Sequence, residues 1–100
     1  MNRGFIMEKC TDQACENAVR ILKALAHPAR LKIIRKLMKE DCNVSSLESD
    51  SGLSQSGVSQ HLRILRLSGI IDARRSGKEI CYNVVDPSAK KIIEILISMK

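Results

Sequence analysis

Aromatic side chains are almost missing from this sequence: Phe5 and Tyr82 are the only two, and there is no tryptophan. Single-stranded nucleic acids are held largely by stacking bases on exposed rings, so a chain without a ring platform is a poor candidate for that mode of binding. No apolar run approaches the roughly 20 residues that a bilayer-crossing helix needs. The start, Met1 to Lys9, lacks the apolar stretch of a secretory signal. A cytoplasmic, non-membrane protein is the expectation. There is also no Cys-x-x-Cys pair, no glycine-rich phosphate loop and no pair of carboxylates placed for acid-base work. Nothing therefore supports an enzyme such as a small thiol oxidoreductase.

What is present is aliphatic and basic. The 100 residues suffice for one compact domain, modestly stable unless a second subunit adds buried surface. The 44% hydrophobic share comes mainly from Leu, Ile, Val and Ala, which predicts an aliphatic, largely helical core. Seventeen Lys and Arg against eleven Asp and Glu give a net charge of +6, a balance that favours a polyanionic partner through counterion release. Residues 1–10 read as a flexible N-terminus ahead of a domain spanning 11–100.

The first periodic segment runs from about Thr11 to Ala26, with Ala18, Ile21, Leu22 and Leu25 spaced for one helical face. His27-Pro28 breaks it, and proline at a first helical position restarts the chain as Pro28 to Lys39, with Leu31, Ile34, Leu37 and Met38 inward. Ser45 and Glu48 have the spacing of a capping box and predict a short helix over Ser46 to Ser51. Gly52 would end it in the left-handed conformation. Ser54 then caps a fourth helix that runs to about Ser68 and stops at Gly69. Helix, tight turn and helix make a helix-turn-helix.

Within the fourth helix Val58, Leu62 and Leu65 share one face, leaving the polar and basic residues on outer faces. Beyond Gly69 the period becomes strand-like: Ile70 to Arg75, a Ser76-Gly77-Lys78 turn, then Glu79 to Val85. This is a basic hairpin, the signature of a wing. Asp86-Pro87 opens a last helix, nearly apolar all round through Ile92, Ile93, Ile95, Leu96, Ile97 and Met99. Such a helix must bury against something, and a domain this small has little core left for it, so a partner subunit is expected.

A helix-turn-helix lays its second helix in the major groove, where Gln pairs with adenine edges, Arg with guanine, and Ser with bases or phosphates. The residues of suitable type are Ser54, Gln55, Ser56, Ser59, Gln60, His61 and Arg63; against a mere solvent face stand the preceding short helix, the turn and the hairpin. Arg74, Arg75 and Lys78 cluster near the hairpin tip, placed either to reach phosphates or a minor groove or to keep an edge strand soluble. His61 either reaches DNA or packs within the reading helix, and His27 falls at the cap position before Pro28. Gly57 costs about 1 kcal/mol inside a helix, justified only by close approach to a DNA backbone or by nothing at all.

Three stretches together resemble the ArsR/SmtB family of bacterial repressors: Leu25-Ala26-His27-Pro28-Ala29-Arg30-Leu31-Lys32-Ile33-Ile34, Leu53-Ser54-Gln55-Ser56-Gly57-Val58-Ser59-Gln60-His61-Leu62, and Gly69-Ile70-Ile71. The match spans roughly Ala18 to Asp86. The resemblance implies a mainly α winged helix-turn-helix homodimer joined by its first and last helices. It also implies repression of transcription and release from operator DNA when an effector, often a metal ion, binds. A constitutive regulator without an effector site and a protein-interaction module of the same fold are the alternatives. The family's metal patterns are not reproduced: Asn43-Val44-Ser45 stands where one uses Cys-Val-Cys, and Pro87 to Lys100 holds no histidine and only Glu94 as an acid.

Four cysteines keep a thiol effector in view, since soft metals, metalloids and oxidants act on thiolates. In a reducing compartment they are expected as thiols rather than structural disulfides. Cys42 and Cys81 are a candidate switch, because winged-helix folds pair the strand before the third helix with the wing strand. Cys10 and Cys15 are candidate soft-metal ligands. The plainer reading makes Cys42 and Cys81 small core residues and Cys10 and Cys15 incidental.

Overall fold

A computed structural model describes residues 12–39, 47 and 52–97. Among these residues the chain forms α1 (Asp12–Leu25), α2 (Pro28–Lys39), α3 (Gln55–Leu67), a hairpin of β1 (Ile71–Ser76) and β2 (Glu79–Val84), and α4 (Pro87–Leu96). Leu47 is helical and buried, and packs into the core; the rest of the expected third helix, with its Ser45 and Glu48 cap, lies outside the described residues, as does the N-terminus 1–10.

Local chemistry sets the helix ends. Between α1 and α2 the chain turns at Ala26-His27, where His27 Nδ1 accepts a hydrogen bond from the Ala29 amide (3.0 Å) and its carbonyl accepts from Leu31 N–H (3.0 Å). His27 is therefore the N-cap of α2, with Pro28 at the first position, where its missing N–H costs nothing. Ser54 caps α3 through Oγ, which accepts from Gly57 N–H at 3.1 Å. At the other end Gly69 takes φ +83, Ile70 N–H returns to Leu65 O (3.1 Å) and Gly69 N–H to Arg66 O (3.0 Å). This Schellman closure satisfies the last carbonyls of α3 and drives Ile70 into the core. Asp86 caps α4 by accepting from Ala89 N–H at 2.9 Å, with Pro87 following.

The core is aliphatic. Ile21, Ala24 and Leu25 of α1 meet Ile33, Ile34 and Leu37 of α2, Val58, Leu62 and Leu65 of α3, the Ile70-Ile71 link, Val84, and Ala89 and Ile93 of α4. Steps of four and three along α3 present Val58, Leu62 and Leu65 to this centre, as expected. On α2 the expected stripe shifts: Ile33 is fully inside, while Leu31 and Met38 pack at its margin. On α1 the apolar face is divided: Ile21 and Leu25 are buried, while Ala18 and Leu22 are exposed on the single chain.

The hairpin leaves the core almost at once. Its strands are antiparallel, with Ile71 opposite Val84, and this pair is the buried one. Every later residue is half-buried or exposed, out to the turn at Gly77-Lys78. Gly77, at φ +66, supplies the positive φ that a two-residue hairpin turn requires at its first central position.

Candidate nucleic-acid interface

One side of α3 faces solvent with polar and cationic chemistry. Gln55, Ser56, Ser59, Gln60 and Arg63 are all exposed, and Ser54 stands at the helix start with its hydroxyl committed to the cap. Between this helix and β2 runs a groove of about 390 Å3 lined by Ser59, Gln60, Arg63, Arg66, Ile80 and Tyr82. Arg66 and Tyr82 were not picked as site residues from sequence. Arg66 follows Arg63 by three and so shares its side of the helix, a signal available in the spacing. Tyr82 was legible only as a strand residue, because its facing depends on how the hairpin docks.

Register divides the basic residues of the wing. Residues directly opposite on two strands share a face, so Arg75, opposite Ile80, stands on the groove side, and Arg74, opposite Cys81, on the other. Lys78 occupies the turn, and all three cations are exposed. A helix of hydrogen-bonding side chains and a cationic arm beside it, separated by an open groove, is suited to a polyanion whose edges carry donors and acceptors.

His61 behaves differently from its neighbours. It is half-buried, its Nδ1 lies 3.3 Å from Nη1 of Arg30, and its ring is 4.5 Å from that of His27, tilted by 49°. The structure thus brings His61 to the first turn of α2 rather than to the open face of α3. Burial, then the His27 ring, then the Arg30 guanidinium hold its pKa below the ordinary 6.5.

The cysteines separate. Cys81 is half-buried with a free thiol; by strand alternation it lies on the face of Asn83, which lines a second cavity with Leu37, Met38, Lys39, Lys90 and Glu94. Cys15 is exposed on α1 and is disulfide-bonded, not the thiol expected of it, so in this form it offers no thiolate to a soft metal. Cys10 and Cys42 lie outside the described residues, so the expected Cys42–Cys81 approach does too. Among the described residues no three His, Cys, Asp or Glu side chains gather as a set that could hold a metal ion.

Comparisons with known proteins agree with this geometry. Residues 27–73 match the family model described as bacterial regulatory protein, arsR family. The chain is 40% identical over 93 residues to the biofilm growth-associated repressor of Agrobacterium fabrum, covering 93% of this chain and 76% of that one. It is 37% identical to the transcriptional repressor PagR of Bacillus anthracis, covering 92% and 93%. Among solved structures, HlyU from Vibrio cholerae superposes with a TM-score of 0.82 at 35% identity, over 86% of this chain and 94% of that one. A homodimeric winged helix-turn-helix domain from Mycobacterium bovis shares the fold with a TM-score of 0.79 at 23% identity, over 88% and 82%. With the three sequence motifs, the reading helix and its wing all in place, this chain belongs to the arsR family of bacterial regulatory proteins, as a DNA-binding transcription regulator of winged helix-turn-helix fold and not an enzyme.

Proposed function

We propose that this regulator is a cytoplasmic homodimeric repressor that binds a pseudo-palindromic operator, one reading helix per half-site, the two helices about 34 Å apart. The observation that carries the proposal is the continuity of the exposed side of α3 with the groove and the wing. Gln55, Ser59, Gln60 and Arg63 supply selectivity at base edges. Arg66, Arg75 and Lys78 supply contacts to phosphate, and Arg74 adds charge on the far side of the wing.

The dimer rests on apolar surface that one chain leaves uncovered. Val19 (47% exposed) and Leu22 (52%) on α1 and Ile95 (80%) and Leu96 (70%) on α4 are large aliphatic residues in water. A groove of about 350 Å3 between α1 and α4, lined by Ala18, Ile21, Leu22 and Ile92 among others, joins the two helices into one surface. Apolar surface that a small domain fails to cover marks an association site, and a second copy of the chain fits it through its own α1 and α4. The relatives named as repressors support the sign of regulation, although HlyU of Vibrio cholerae is named an activator.

Release by a soft metal, a metalloid or thiol oxidation acting at Cys81 completes the proposal. The half-buried free thiol on the wing strand supports it, because a change there moves the strand that carries one wall of the groove. The test is selection of duplexes from a random-sequence pool, followed by fluorescence anisotropy with reduced, oxidised and soft-metal-treated protein. An enriched palindrome bound by two chains, lost on treatment of wild type but not of Cys81→Ser, is the expected result. Binding indifferent to every treatment leaves a constitutive regulator, and no enriched duplex overturns the DNA-binding reading.

A further inference from the structure

His61 sits in the middle of the reading helix, yet its ring is turned to the junction of α1 and α2. Arg30 holds that junction together. Its Nε donates to Ala24 O and its Nη2 reaches Lys23 O at 3.4 Å, so the guanidinium closes the last turn of α1, while Nη1 faces His61 Nδ1. A guanidinium has donors and no acceptor, so this contact requires His61 Nδ1 to be the acceptor, with the ring proton on Nε2. The same logic fixes the second ring. His27 Nδ1 accepts from the Ala29 amide, a donor only, so His27 is also held with Nδ1 bare.

From these contacts we propose that His27, Arg30 and His61 form a lock that positions the reading helix, and that a proton gained at His61 Nδ1 releases it and weakens operator binding. The proposal rests on α3 being the DNA-reading helix. A proton on His61 Nδ1 replaces an acceptor by a donor facing Arg30 and sets two cations side by side. The groups around His61 offer no compensation among the described residues. The ionisable groups acting on it are His27 and Arg30, and α1 contributes the carbonyls that hold Arg30. His61 is thus a positioning residue for DNA reading.

The sign of the pH effect separates this role from a direct one. A histidine that touches phosphate binds DNA more tightly as it gains a proton, whereas the lock loosens. The experiment measures anisotropy of a duplex selected at pH 7.5, titrated at constant ionic strength at pH 7.5 and 5.5, with wild type and His61→Gln. The glutamine keeps an acceptor for Arg30 and does not titrate. Wild-type affinity is expected to fall about 5-fold or more between the two pH values, and His61→Gln to bind like wild type at pH 7.5 and lose most of that step. Binding by wild type that strengthens at pH 5.5, or an identical profile in both proteins, overturns the lock. A failure to select any duplex at all refutes the DNA reading instead. In that case, or where the variant fails to fold, the imidazole nitrogen NMR spectrum of free wild type still decides: bare Nδ1 on both rings at pH 7.5 is required, and a protonated His61 Nδ1 overturns the lock.

Discussion

Arg20, on the first helix, donates through Nε to the carbonyl oxygen of Ser68 at 3.0 Å, closing the end of the reading helix from 48 residues away in sequence. Its Nη1 is steadied by Asn17 Oδ1 at 3.1 Å. A guanidinium at a helix C-terminus meets both the orphan carbonyls and the negative end of the dipole. The side chain is largely in water, which screens the charge but leaves the hydrogen bond. Arg20→Met, which keeps the stem, is expected to lower stability by about 1 kcal/mol in urea unfolding. An unchanged midpoint would mean that water replaces the contact without loss.

The division of the wing by register predicts unequal cations. Arg75, on the groove side, should meet phosphate, so Arg75→Ala is expected to reduce the slope of log affinity against log salt by about 0.9. Arg74→Ala, across the strand, should change it less. Arg63→Ala on the reading helix is expected to cost about 1–3 kcal/mol and to relax the sequence preference, which a repeat of the duplex selection would register. If Arg74→Ala has the larger salt effect, the wing approaches DNA by its other face.

Gly57 separates stability from recognition. Its amide serves the Ser54 cap, and a Cβ built there would meet Ser54 Oγ at 3.4 Å and Leu53 Cβ at 3.6 Å, ordinary contacts. Among the described residues nothing therefore demands glycine. Gly57→Ala is expected to raise stability by up to about 1 kcal/mol in thermal or urea unfolding. If the reading helix comes close to the DNA backbone at this point, the same substitution weakens operator affinity while the melting temperature rises. Equal affinity would leave this glycine without a functional reason.

The depressed pKa of His61 also carries a stability consequence. Its folded-state value lies below the ordinary 6.5, so the unfolded chain binds the proton more readily. The resulting stability is fully present above that ordinary value and is lost as pH falls from it through the lower, folded-state value. Comparing urea midpoints of wild type and His61→Gln at pH 7.5 and 5.5 isolates the effect. Wild type should lose more of its midpoint than the variant on acidification. Equal losses would show that the ring is solvated like any surface histidine.

Much of this architecture was legible because it is written locally. Pro28 and Pro87 mark first helical positions behind their caps His27 and Asp86, Ser54 caps α3, and Gly69 and Gly77 are places where φ turns positive; each signal acts within a few residues. What escaped reading depends on distant contacts. His61 neighbours Leu62 but owes its inward placement to Arg30, 31 residues earlier. Arg75 and Arg74 differ only through hairpin register, and Tyr82 through docking of the hairpin onto α3. On α1 the period correctly showed an apolar stripe but not what the stripe meets: Ile21 and Leu25 turn to the chain's own core, and Leu22 does not.

That last difference leads to the interface. Leu22 and Ile95 are both more than half exposed, so a charge at either position costs the isolated fold little, yet in a dimer built from α1 and α4 it would be forced into an apolar seam. Ile95→Glu is expected to give a chain whose helical circular dichroism is retained but whose sedimentation is that of a monomer. Its operator affinity should fall by orders of magnitude, because one half-site contact no longer brings a second with it. Leu22→Glu should behave alike. A variant that sediments as a dimer and binds DNA as wild type would move the interface to another face, and Ile64 and Leu67 on α3 would be the next exposed aliphatic pair to substitute.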